Sequence, residues 1–177
     1  MSPLTGEVRR AALQWALSDP ETVSRYRAKV VVVAGSPCRW WRGALSGRGH
    51  GRFWLSSVGG QDVVVVAHRF GFALEHGPDE LARVAVLGHR CDNPLCQRIG
   101  AGHVVRSSHA ENRREWAARR ALAGGSLTDR RGSRGRARDL RDALRADSGQ
   151  PGFDLVVLAG LGGDGVQLPL WAAEPPD

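Results

Sequence analysis

Lysine is almost missing from this chain: Lys29 is the only one, although Lys and Arg together number 25. The formal net charge of +7 is therefore carried by arginine. Arginine forks pair bidentately with phosphate and with guanine edges, so the charge points to nucleic acid or to an anionic surface. Genome-wide enrichment in Arg, Ala and Gly is the bland alternative. Long apolar runs are missing too. The longest, at residues 30–34 and 63–67, are too short to span a bilayer, and MSPLTGEVRR at the start holds no apolar h-region. These absences predict a cytoplasmic protein with no membrane partner. Cysteines are few and odd in number, three in all. That count does not suggest a secreted disulfide scaffold, and in a reducing compartment clustered cysteines more often bind metal. No internal repeat is visible.

Two turn formers dominate what is present: 23 glycines and 9 prolines break the 177 residues into short elements. Residues 7–18 have helical apolar spacing through Val8, Ala12, Leu13 and Leu17, and a second helix is expected over 21–29. Short strands are expected at 30–33, 53–58 and 63–67, with the glycines between them turning a twisted hairpin. Residues 69–76 read as a helix closed by Gly77-Pro78. Then come a strand at 82–87, a Cys-rich loop at 91–102 and a strand at 103–106. A helix follows, opened by the capping box Ser108-His109-Ala110-Glu111 and running to about Ala123 before Gly124-Gly125. Residues 126–147 hold seven arginines and four aspartates, with Gly132 and Gly135 breaking the start and 138–145 helical. Residues 148–177 are rich in Gly and Pro.

The informative string is His89-Arg90-Cys91-Asp92-Asn93-Pro94-Leu95-Cys96, followed by His103 and Asn112. Four residues separate Cys91 from Cys96, which lets a knuckle-like loop bring both sulfurs to one zinc. His103 can add a nitrogen from the following strand, and Cys38 is the natural fourth ligand. A closed Cys3His site of that kind is structural and compensates for a small core. The alternative is three buried free thiols acting as small apolar groups.

Further strings extend the pattern: Cys38-Arg39-Trp40-Trp41-Arg42-Gly43-Ala44, Gly51-Arg52-Phe53, Ala67-His68-Arg69, His103-Val104 and Glu111-Asn112. Taken in this order over about residues 36–116, they resemble the HNH endonucleases of the His-Me finger superfamily, above all the His-Cys box homing endonucleases and related phage and bacterial HNH proteins. The resemblance implies an α+β fold: a ββα-metal core with an antiparallel hairpin region, a structural zinc and helical extensions at both ends. It implies an N-terminal extension over 1–30, a nuclease domain over 31–125, an Arg-rich DNA-binding extension over 126–147 and a tail over 148–177. By position, His89 resembles the general base, and Asn112 the single protein ligand of a catalytic Mg²⁺ or Mn²⁺. Cys38, Cys91, Cys96 and His103 resemble the structural zinc ligands. Gly88 stands where many family members carry an acidic metal ligand.

Double-stranded DNA is the partner so implied, with monomer and homodimer both left open. Arg39, Arg42, Arg48 and Arg52 are expected on the polar side of a hairpin across residues 39–52. Arg113 and Arg114 are expected on the helix that carries Asn112. Arg130, Arg131, Arg134 and Arg136 are expected to grip phosphates. Trp40, Trp41, Trp54 and Trp116 are expected in the core, and His50, His76 and His109 at the surface. Asp92 is expected to brace the cysteine loop, and His68 either to position substrate or to pack. A zinc module of the same fold that binds DNA without cleaving it is one competing reading. A partner-binding protein whose basic residues reflect genome composition is another.

Overall fold

The computed structural model describes residues 5–100, 102–120, 129 and 131–146. Arg130, the expected helix end at 121–123, Gly124-Gly125 and the 148–177 tail lie outside these residues. The fold is mixed α+β, with small antiparallel hairpins and no continuous sheet among the described residues.

The chain opens with α1 (Gly6–Ser18) and α2 (Pro20–Arg27). Thr5 caps α1 by accepting the Val8 N–H, and Asp19 caps α2 by accepting the Thr22 N–H at 2.9 Å, with Pro20 preset for the first helical position. Next come β1 (Val30–Val32) and β2 (Arg39–Trp41), which pair with each other, then β3 (Arg52–Val58) and β4 (Gln61–Val66), which do the same. Gly59 and Gly60 join β3 to β4 with φ of 56° and 74°, the doubly positive pair that a type I′ turn demands. α3 (Ala67–His76) and α4 (Pro78–Arg83) follow, then β5 (Val86–His89), its partner β6 (Val104–Ser107) and α5 (His109–Arg120). α6 (Gly132–Ala146) is the last described element.

Three expectations need correction. Residues 39–52 do not form one hairpin: β2 belongs to β1 and β3 to β4, and only a Leu45–Gly51 bridge closes the loop between them. Pairing with the nearest strand along the chain costs the least loop entropy. The strand expected from residue 82 begins at Val86, because Pro78 with Asp79 and Glu80 in the first turn nucleates α4 instead. Finally, α6 starts at Gly132 and runs through Gly135, since burial of Ala137, Leu140 and Leu144 outweighs the propensity cost of one glycine, about 1 kcal/mol.

An aromatic cluster forms the centre of the molecule. Tyr26, Trp41, Phe53 and Phe70 meet with ring centroids 4.8 to 6.0 Å apart. Ala12 and Ala16 of α1 and the three buried residues of α6 join this same core, so both expected extensions pack into it. A smaller cluster of Phe72, Ala73, Leu81, Val84, Leu87 and Val104 fixes the β5–β6 hairpin to α3 and α4. Trp40 and Trp41 are buried as expected, whereas Trp54 and Trp116 are 43% and 46% exposed. Among the described residues no helix is long and apolar enough to cross a membrane.

Candidate metal centre and the groups around it

The loop between β5 and β6 is a knuckle built by local hydrogen bonds. Asp92 N–H donates to His89 O and Cys96 N–H to Asn93 O, while the Asn93 side chain accepts the Leu95 N–H at 3.0 Å. Asp92 takes the left-handed conformation the turn needs, with φ of 53°. β2 then docks along the knuckle: Trp41 N–H donates to Leu95 O, and Gln97 N–H to Arg39 O at 2.7 Å. This docking brings Cys38, 53 positions before Cys91 in the chain, to the other two sulfurs.

Four ligand atoms converge there. Those of Cys38, Cys91, Cys96 and His103 all lie within 4.8 Å of one another, and this cluster could hold a metal ion such as zinc. His103 Nδ1 is 3.6 Å from both Cys38 Sγ and Cys96 Sγ. Ligands about 2.3 Å (S) and about 2.0 Å (N) from one tetrahedral ion stand roughly 3.5 Å apart, so the spacing suits a shared cation. The thiol chemistry agrees. Hydrogen bonds from the Cys91 and Cys96 thiols pull the Cys38 pKa far down, and contact with Cys38 pushes both of the others up. Without a cation the three sulfurs support one thiolate between two thiols; a dication lets all three ionise. The Arg98 N–H also points at Cys96 Sγ, at 3.4 Å.

β5 alternates its faces beside this knuckle. Gly88 faces α5: a Cβ added there would stand 3.2 Å from Asn112 Oδ1. Asn112 thus lies against the residue before His89, in the first turns of a helix that opens with the expected capping box. There Ser108 Oγ accepts the Glu111 N–H, and Glu111 accepts the Ser108 N–H at 2.8 Å. Arg119 clamps the same helix to the knuckle, donating to His89 O at 2.9 Å and pairing with Glu115 and Asp92. Asp92 accordingly acts as a brace.

Leu87 and His89 face α3. There His89 belongs to a cluster of three imidazoles. His89 Nε2 stands 3.2 Å from His68 Nδ1, and His50 places its ring centroid 5.5 Å from His89 and 5.7 Å from His68. Burial, and then the neighbouring imidazoles, lower the His89 pKa well below its ordinary value. Burial, then the charges of His50 and Arg69, take His68 down to about 3. Burial and Arg48 lower His50. The cluster is therefore neutral at physiological pH. His50, expected at a surface turn, is half-buried here. Chain positions 50, 68 and 89 share no period, so only the packing of α3 against β5 reveals the cluster.

The arginines divide into two kinds. Arg39, Arg48, Arg52, Arg113, Arg114 and Arg134 are exposed. Arg42 instead caps α2, its guanidinium donating to Ala28 O at 3.0 and 3.1 Å. Arg131 pairs with Asp129 and Asp139, and Arg136 approaches Asp129 at 3.8 Å. The loop at Gly49 lies against the N-terminal half of α6, close to Ser133, Arg134 and Ala137. Family models, curated proteins and solved structures all return no match to this chain.

Proposed function

We propose that this chain is a metal-dependent DNA endonuclease of the HNH type, cutting phosphodiester bonds to 5′-phosphate and 3′-hydroxyl ends. The observation that carries this reading is the placement of the Asn112 carboxamide against β5 at Gly88, one residue from a neutral His89, next to a closed Cys3His cluster. Zinc suits that cluster, since three thiolates and one imidazole form a structural site with no open position.

Asn112 Oδ1 would be the single protein ligand of a Mg²⁺ or Mn²⁺ ion, and the missing side chain at Gly88 leaves beside it a space that a Cβ would crowd. When bound, such a cation neutralises charge on the scissile phosphate and on the leaving oxygen. His89, kept neutral by burial, takes a proton from the attacking water. The N-terminus of α5 favours an anion near Asn112. Exposed Arg113 and Arg114 on that helix, with exposed Arg48 and Arg134, supply phosphate contacts to double-stranded DNA.

Plasmid nicking in Mg²⁺ tests the proposal. Wild type should nick, and His89→Ala and Asn112→Ala should each lose about 10²- to 10⁴-fold in rate. Equal rates for all three proteins would refute it, as would 3′-phosphate ends on labelled products. The lack of a carboxylate at residue 88 favours one second reading, a zinc-containing DNA-binding module without cleavage. In that case DNA is retained on a filter while the plasmid stays supercoiled.

A further inference from the structure

Buried imidazole nitrogens are almost always paired, and an exception in a native fold calls for an explanation. His89 Nδ1 is such an exception: it is buried and has no hydrogen-bond partner. The other nitrogen of the same ring, Nε2, lies 3.2 Å from His68 Nδ1, with the two rings edge to face at 89°. One proton can occupy that contact, so two arrangements exist. If His68 donates, His89 carries its proton on Nδ1, and a buried N–H is left with no acceptor. If His89 donates, its Nδ1 is a bare lone pair. Orphaned buried donors are rarer than under-used acceptors, so the second arrangement is favoured.

We infer that His68 is a positioning residue: its Nδ1 accepts the Nε2–H of His89 and so fixes the tautomer and orientation of the proposed base. His68 is held for this task. It is buried in the first turn of α3, between Ala67 and Phe70, both fully buried. The ring of His89 is held from its own backbone by Arg119, which donates to its carbonyl.

The catalytic half of this inference rests on the endonuclease proposal; the tautomer half does not. Histidine-selective ¹⁵N NMR of the zinc-loaded full chain reads the tautomer directly. The expected spectrum has Nε2–H on both His89 and His68. His68→Asn, whose amide oxygen can take over as acceptor, should keep the Nε2–H tautomer of His89 and nick within about threefold of wild type, whereas His68→Phe should give mixed tautomers and a kcat about 10- to 100-fold lower at unchanged KM. A proton on Nδ1 of His89 in the wild type overturns the inference, as does an unchanged tautomer in His68→Phe. Should His68→Phe fail to fold, the wild-type spectrum still decides. A wild type that shows Nε2–H on His89 yet never nicks DNA supports the hydrogen-bond assignment and defeats the endonuclease proposal.

Discussion

α5 and α6 are both arginine-rich helices, of 12 and 15 residues, and the fold uses them in opposite ways. α6 turns Ala137, Leu140 and Leu144 into the aromatic core at helical spacing. Its neighbourhood ties up charge as well, with Asp129 and Asp139 engaging Arg131 and Asp129 lying near Arg136. None of the described side chains of α5 is buried. It is held by its capping box and by the Arg119 clamp on the cysteine knuckle, while Arg113 and Arg114 stay exposed. A helix placed by apolar burial is indifferent to the metal centre. A helix placed by polar ties to a knuckle depends on whatever holds that knuckle.

Stripping zinc from a Cys3His cluster loaded with it should separate the two helices most sharply. Structural zinc sites in small domains bind with about 10–16 kcal/mol of apparent free energy, so chelation should release the knuckle and α5. Hydrogen exchange should then rise over residues 89–120 and change little over α6. Uniform loss of protection would show that both helices depend equally on the cluster. Next in size is the core of α6: Leu140→Ala should cost about 3 kcal/mol in denaturant unfolding, against less than about 1 kcal/mol for Trp116→Ala on the exposed side of α5. Similar losses would erase the distinction.

Acid supplies a third probe, centred on the histidines. His68 has an ordinary pKa of 6.5 in the unfolded chain and one of about 3 in the fold, so the unfolded state binds more protons between these values. The stability its neutral form contributes is complete above about pH 6.5 and is lost as pH falls, by about 2 kcal/mol at pH 5. His68→Asn should flatten that slope, which separates this effect from protonation of the thiolates. An unaltered slope would place the acid sensitivity elsewhere. The smallest effect is on salt dependence. Replacing Arg113 and Arg114 by Ala should reduce the slope of log K against log salt for DNA binding by nearly two, at about 0.9 per lost phosphate contact. Arg131→Ala should leave the slope unchanged and lower stability by no more than about 1 kcal/mol. A slope that responds to Arg131 would return α6 to the phosphate-binding surface.

Much of the site lies in short-range pattern, and short-range pattern is what a sequence displays. The spacing of Cys91 and Cys96, the capping box from Ser108 to Glu111 and the Gly59-Gly60 turn each specify a structure a few residues long, and each is present as expected. Cys38 and His103 were reachable as well, because a tetrahedral ion needs four ligands and the chain has no other cysteine. The division of the arginines was not reachable. Whether a guanidinium is exposed or meets Asp129, Asp139 or the Ala28 carbonyl depends on how distant segments pack.

By itself, then, the sequence determined the caps, the tight turn and the four residues of the Cys3His cluster, since capping and turn geometry act through neighbours along the chain. Tertiary structure decided the direction in which His89 points. Packing of α3 beside β5 brings its ring to His68 and His50, and α5 sets Asn112 over Gly88. Burial among those neighbours lowers the pKa of the ring, and no spacing of residues along a chain encodes burial.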